Sequence, residues 1–326
     1  MARPQRLETA DGVYHVLNRG NYRADIFRSD KTKEAFLNCL GEACTKTGWV
    51  VHAWCVMSNH YHVAVSTPRA NLVDGMRWLQ GTFSTRFNRM RNERGHLFQG
   101  RYQSLIVDPD GGLGPLCHYI HLNPVEAKLR PVASLPDYRW TSVRWLMDPR
   151  SRPSWYQPQP ALEHAGGLAD TAAGREKYLD YLGWLAENEP ARKKQRFAEM
   201  STGWIIGTGD FAKALLKEHQ ALVGQGRRMA VAMKQTREEL WRDELDALRR
   251  KLRRTPQDVA RDRKSARWKV AVAAVLKTRT TATNRWLGEA LNMGGLHEVS
   301  RQVSAWQRHP DPVLQKQLAQ TTNYKA

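Results

Sequence analysis

Acidic residues are in short supply in this 326-residue chain. Its 32 Asp and Glu stand against 51 Lys and Arg, a net charge of +19 with an isoelectric point near 10.1. Such an excess repels itself in a compact state and is ordinarily kept for a polyanionic partner. The surplus is not a basic tail on a neutral body: residues 1–160 hold 21 basic and 13 acidic side chains, and residues 161–326 hold 30 and 19. Both halves are expected to meet the polyanion. Long apolar runs are also missing. None approaches the ~20 residues that span a bilayer, and the opening Met1-Ala2-Arg3-Pro4-Gln5-Arg6 lacks the apolar stretch of a signal peptide. No membrane association and a cytoplasmic location are the expectations. Only four cysteines occur, Cys39, Cys44, Cys55 and Cys117, with no C-x-x-C pair; set among apolar residues, they read as reduced core thiols. No G-x-x-x-x-G-K-[ST] phosphate loop, internal repeat or low-complexity tract is found. What is present, 41% hydrophobic and 25% charged residues, suits a globular protein with two or more compact units.

Residues 10–147 pattern as one α+β unit. Val13–Leu17 reads as a first strand, followed by the turn residues Asn18-Arg19-Gly20-Asn21. Asp30 is placed to cap a helix to about Thr47, with Gly48 just past its end. Val50–Met57 and His60–Val65 read as a hairpin about Ser58-Asn59, and Asn71 opens a long helix with Leu72, Met76, Leu79, Phe83 and Phe87 at three- and four-residue steps. Arg101–Val107 is a further strand and Leu116–Asn123 a short helix. A sheet packed on one face by helices is the expected architecture. Residues 148–174 are rich in Pro and Gly and read as a linker or extended arm. Beyond them the pattern is helical: Glu176–Glu187, Asp210–Glu218, a charged helix over Arg227–Arg254, then Lys264–Thr278, Asn284–Leu291 and His297–Gln307.

His60 and His62 are two apart in a β-like run, so both imidazoles project from one face while Tyr61, Val63 and Val65 turn to the other. Two neutral imidazoles on a rigid face suit a divalent metal, although a His-x-His pair alone equally describes two half-buried histidines. On a helix, Tyr119 and Asn123 share a face. A phenol near a metal-polarised phosphate can act as a nucleophile, and a carboxamide oxygen can join the metal's shell; taken singly, Tyr119 also reads as a core aromatic. Pro124 disfavours helical geometry at Asn123, which places that residue at a frayed last turn. His118 and His121 are open between metal ligand, phosphate contact and helix cap.

Three ordered motifs, His60-Tyr61-His62 after Met57-Ser58-Asn59, Phe98-Gln99-Gly100-Arg101-Tyr102, and Tyr119-Ile120-His121-Leu122-Asn123-Pro124, together with Tyr14-His15-Val16 and Arg19-Gly20, closely resemble the single-tyrosine HUH transposases. Within these the chain resembles the REP-associated tyrosine transposases, over roughly residues 8–147. The resemblance implies a ferredoxin-like α+β domain, Mg²⁺ or Mn²⁺ on His60 and His62 with Asn123 as third ligand, and Tyr119 as nucleophile. It also implies cleavage of single-stranded DNA beside palindromic hairpins through a 5′-phosphotyrosine. Glu126 departs from the pattern, standing where a basic residue is expected. Arg19, Arg77, Arg86, Arg89, Arg94 and Arg101 are candidates for DNA backbone contacts.

Residues 227–270 carry 15 basic and 7 acidic side chains. After them, two apolar-faced helices joined by Asn292-Met293-Gly294-Gly295 pattern as a helix-turn-helix within residues 264–308, with His297, Ser300, Arg301 and Ser304 on the exposed side. The organisation read from the sequence is therefore a catalytic domain over 1–147, a linker or arm over 148–174, and a basic helical DNA-binding region over 175–326. The competing reading is a non-cleaving DNA-binding regulator derived from such an enzyme. The residues leave the target sequence and the choice of monomer or homodimer open.

Overall fold

The computed structural model describes residues 8–203, 205–212, 215, 238 and 241–319, in two compact units that divide the chain at 219/220. In the first unit, β1 (Gly12–Arg19), β2 (Val50–Val56), β3 (His60–Thr67), β4 (Gln103–Val107) and the short β5 (Ile205–Ile206) form one sheet in the order β2-β3-β1-β4-β5. The first four strands are antiparallel neighbours, and β5 runs parallel to β4. Helices α1 (Asp30–Thr47) and α2 (Leu72–Arg91) make the two crossovers, so β1-α1-β2-β3-α2-β4 has the ferredoxin-like arrangement. Ser29, not Asp30, caps α1: its hydroxyl accepts the Thr32 N–H at 3.3 Å. At the other end Gly48 closes the helix with φ 74°.

The sheet is covered on both faces, which corrects the expectation of helices on one. Along β1 and β3, Tyr14, Val16, Tyr61, Val63 and Val65 enter a core with α1 and α2. The alternate residues Val13 and Ala64, with Ala53 and Cys55 of β2 and Leu105 and Val107 of β4, enter a second core. That second core is closed by α3 (Leu113–Glu126), α4 (Val143–Met147), α5 (Gln159–His164) and α6 (Ala172–Glu187). Strands apolar on both sides bury both sides.

The first unit also runs past residue 147. Residues 153–157 lie along the otherwise open edge of β2: Val51 N–H donates to Trp155 O at 2.8 Å and Gln157 N–H to Val51 O at 2.9 Å. An unpaired strand edge is a liability, and this arm covers it. Tyr156, Leu162, Tyr178, Leu182 and Leu185 are all buried in the two cores. The Pro- and Gly-rich stretch is thus a packed arm, and α6 belongs to the first unit together with α7 (Glu189–Lys194).

In the second unit residues 241–251 are helical, followed by helices Pro256–Arg261, Arg267–Arg279, Asn284–Ala290, Leu296–Arg308 and Pro312–Ala319. Of the helix expected over 227–254, residues 227–237, 239 and 240 lie outside the described residues and 252–254 are not helical; residues 213, 214 and 216–218 of the one expected over 210–218 also lie outside them. Trp241, Leu248, Trp268, Leu276, Leu287, Val299 and Val303 share one core. Thr283 caps Asn284–Ala290 through the Trp286 N–H, and Asn292 (φ 47°) and Gly294 (φ 90°) turn the chain into the next helix. Lys269 is fully buried, its Nζ donating to the carbonyls of Val259 (2.7 Å) and Asp262 (2.8 Å). Among the described residues no helix is long and apolar enough to cross a membrane.

Candidate active site

Strand alternation does what the His-x-His spacing predicts. Tyr61 is buried against Phe36 on the α1/α2 side. His60 and His62 project from the opposite face, their ring centroids 5.0 Å apart. Helix α3 crosses that face and brings the Tyr119 ring within 5.7 Å of the His62 ring, edge-on at 88°. Tyr119 and Asn123 are both half-buried there.

Pro124 does not end the helix. α3 continues to Glu126, so the expectation of a frayed end at Asn123 is corrected. The Asn123 side chain reinforces the preceding turn, its Nδ2 donating to the Tyr119 carbonyl at 2.8 Å. A carbonyl only accepts, so the nitrogen is the atom committed to that bond, and the carboxamide oxygen is left as the lone-pair donor.

The same reasoning orients the imidazoles. His60 Nδ1 lies 2.6 Å from Asn59 Oδ1, and the Asn59 amide nitrogen faces the Arg23 carbonyl at 3.4 Å. His60 therefore donates through Nδ1 and presents Nε2 as a lone pair. Behind His62 stands His15 of β1, completely buried, with its Nε2 2.9 Å from His62 Nδ1 and its own Nδ1 2.6 Å from the Met200 carbonyl. Burial holds these rings neutral: desolvation lowers His15 and His60 to about 4, with Arg19 adding to the effect at His60. His62 lies well below the usual histidine value, first by burial and then by His15, His60 and Arg19. A neutral imidazole with an unprotonated ring nitrogen is what metal ligation requires. Among the described residues no group of three His, Cys, Asp or Glu is placed to hold a metal. Two imidazoles and a carboxamide oxygen are, by their chemistry, donors that a divalent cation would accept.

Arg19, the last residue of β1, pairs in register with His60 and is exposed beside it. The loop bearing Arg101 is tied to the same sheet end, by the Gly20–Phe98 bridge and by Gln99 N–H to Arg19 O at 2.9 Å; Arg94 is exposed just before this loop. Arg77, Arg86 and Arg89 are not brought to the site. They lie on α2, which packs on the far face of the sheet. Arg86 is engaged by the Glu42 carboxylate at 2.6 and 2.9 Å, and Arg77 stands 3.5 Å from Asp74. Arg301 is exposed on the helix Leu296–Arg308 of the second unit.

His118 and His121 turn away from the histidine pair and are fully buried. Ser142 Oγ, His121, Tyr178 Oη, His118 and His164 form a continuous hydrogen-bonded chain with steps of 2.9, 2.8, 2.9 and 3.0 Å. It locks the tyrosine-bearing helix onto α5 and α6. Burial lowers His121 to about 3 and His118 well below the usual value. Glu126 joins Arg192 of α7 at 2.6 Å, a structural use for the acidic residue at that position.

Sequence reasoning missed His15, Asn59, Phe197 and Met200 as parts of the site. The polar His15 between the core residues Tyr14 and Val16 was a readable signal for the first. A backbone carbonyl 185 positions away leaves none.

Comparison with known proteins bears on this region. Residues 9–123 match the family model described as Transposase IS200 like. No curated protein matches the chain. Among solved structures, a REP-associated tyrosine transposase bound to a REP hairpin is similar at 14% identity with a TM-score of 0.39, over 48% of this chain and 92% of that one. A candidate transposase from Deinococcus radiodurans R1 is similar at 18% identity with a TM-score of 0.27, over 40% and 91%. His60, His62, Tyr119 and Asn123 thus all fall inside the segment that is similar to the IS200-like transposases.

Proposed function

We propose that this protein is a metal-dependent single-strand DNA endonuclease and strand transferase that works through Tyr119. The observation that carries the reading is the approach of the Tyr119 ring to His62, itself beside His60, with the Nδ1 atom of each imidazole already engaged. His60, His62 and the Asn123 oxygen would hold Mg²⁺ or Mn²⁺. When bound, the cation supplies charge stabilisation at a non-bridging phosphate oxygen.

Everything else falls to side chains of this chain. Helix α3 presents the phenol, and Asn123, bonded to the Tyr119 carbonyl, stiffens the turn that carries it. Arg19 and Arg101 hold the DNA backbone at the adjoining sheet end. In the reaction the Tyr119 oxygen forms a bond to phosphorus, the bond from phosphorus to the 3′ oxygen breaks, and the phenol proton ends on the released 3′-hydroxyl. The 5′-phosphotyrosine keeps the phosphodiester energy, so another 3′-hydroxyl can reseal the strand without ATP. A single strand suits this geometry because a half-buried tyrosine on a packed helix does not reach a phosphate in a stiff duplex.

The motif resemblance points to hairpin-forming palindromic repeats as the target. The helix Leu296–Arg308, with His297, Ser300, Arg301 and Ser304 exposed and Val299 and Val303 buried, is the element we assign to duplex recognition. The test is incubation with Mn²⁺ or Mg²⁺ and hairpin-flanked single strands, followed by denaturing electrophoresis. A covalent protein–DNA adduct is expected from the wild type and none from Tyr119→Phe. An adduct that persists in Tyr119→Phe overturns the nucleophile; DNA binding with no cleavage under any metal favours a regulator.

A further inference from the structure

We propose that His15, oriented by the Met200 carbonyl, is a positioning residue that fixes the tautomer of His62. The segment Phe197–Met200, beyond the family-matched residues 9–123, would then be a working part of the site. The inference rests on the reading of His62 as a metal ligand.

The direction of each hydrogen bond decides the matter. The Met200 carbonyl only accepts, so at 2.6 Å the proton between it and His15 sits on His15 Nδ1. A neutral His15 with Nδ1–H has its lone pair on Nε2, which must accept from His62 Nδ1 at 2.9 Å. His62 with Nδ1–H carries its own lone pair on Nε2, the nitrogen not engaged by His15. Reversal of this relay would place a proton on His62 Nε2, and no cation binds a protonated ring nitrogen. The Asn59 oxygen does the same for His60 in one step. The two ligands are thus set from opposite sides, one locally in the hairpin turn and one by a segment far along the chain.

That segment is built to stay in place. β5 pairs with β4 through Ile106–Ile205 and Val107–Ile206, the Gln103 side chain donates to the Ser201 carbonyl at 3.1 Å, and Arg196 donates to the Gly207 carbonyl at 2.6 Å. The Met200 side chain is buried, and the Phe197 ring stands edge-on to Tyr119 at 5.7 Å and 85°. One short stretch therefore touches both the nucleophile and, through His15, a metal ligand. Outer-shell partners of this kind typically contribute 10- to 100-fold in metal affinity.

The experiment uses full-length protein with ¹⁵N-labelled histidine in EDTA. Long-range ¹H–¹⁵N spectra are expected to show His15 and His62 as Nδ1–H tautomers before any metal is added. In His15→Phe, His62 should lose that tautomer and Mn²⁺ affinity, read by electron paramagnetic resonance, should fall about 10- to 100-fold. In His15→Gln, whose carboxamide oxygen can accept from His62 Nδ1–H, both should largely return. Circular dichroism checks that each variant is folded, and the wild-type spectrum decides the tautomer without any variant. A wild-type His62 protonated on Nε2, or a folded His15→Phe that keeps the Nδ1–H form and binds Mn²⁺ within about twofold of wild type, overturns the proposal. Wild-type protein that shows the Nδ1–H tautomer yet binds no Mn²⁺ overturns the metal reading instead.

Discussion

Lowering the pH should destabilise the first unit well before general acid denaturation. The unit buries five histidines almost completely, His15, His52, His62, His118 and His121, each in hydrogen bonds that use a neutral ring. Desolvation lowers His15 and His52 to about 4 and His121 to about 3, from an ordinary value of 6.5. A base whose folded value is depressed takes up its proton first in the unfolded chain. Its neutral, bonded state therefore contributes full stability above pH 6.5, and that contribution is lost as pH falls toward the folded value. At pH 5.5, one unit below the unfolded value, each residue shifts the balance by on the order of 1 kcal/mol, so these three together remove a few kcal/mol. His62 and His118 act in the same direction. Against a typical domain stability of about 5–15 kcal/mol, the loss is a substantial fraction. The histidines of the second unit's described residues, His297 and His309, are exposed and add no such burial. Urea titrations in EDTA at pH 7.5, 6.5 and 5.5, followed by circular dichroism, should show the first transition moving to lower urea as pH falls, with the larger step between 6.5 and 5.5. A midpoint that stays constant down to pH 5.5 would refute the reasoning.

Three further outcomes can be checked directly. Gly75→Ala should destabilise the protein by about 1–3 kcal/mol, because a Cβ at that position would lie 2.0 Å from Trp49 Cζ2 and the indole is held by Asn71 at 2.8 Å; a neutral result in chemical denaturation would show that Trp49 is free to move. Glu126→Ala should change stability by no more than about 1 kcal/mol, since its pair with Arg192 is partly solvated; a larger loss would mean α7 depends on that one contact. Arg301→Ala should weaken duplex binding and flatten its salt dependence while leaving cleavage of a bare single strand unchanged; unchanged duplex affinity in filter binding would remove the helix Leu296–Arg308 as the recognition element.

Much of the site was legible because it depends on short-range periodicity. A strand repeats every two residues, so His60 and His62 had to share a face opposite Tyr61, and a helix repeats every 3.6, so Tyr119 and Asn123 had to share another. Pro124 misled the reading of Asn123. A local preference against helix was overridden by the packing of α3 on the sheet and by the Asn123 bond to Tyr119. The arginines of α2 were recognisable as an exposed charged face, but not as lying behind the sheet. That depends on which side of β3 the crossover helix packs. The Pro- and Gly-rich stretch carried a linker's composition yet lies on the β2 edge, because an unpaired strand supplies hydrogen bonds that composition does not encode.

The sequence by itself determined the chain's excess of positive charge, the order of strands and helices in residues 10–126, and the motif His60, His62, Tyr119 and Asn123. Each follows from residue identity or from spacing within one element. Tertiary structure alone decided that His15 stands behind His62, that a carbonyl at Met200 directs it, and that His118 and His121 lock α3 to α6 instead of facing the His60–His62 pair. Those facts rest on which surfaces meet across 46 to 185 positions of chain. Hydrogen-bond direction, and with it the nitrogen each histidine offers, exists only once both partners are in place.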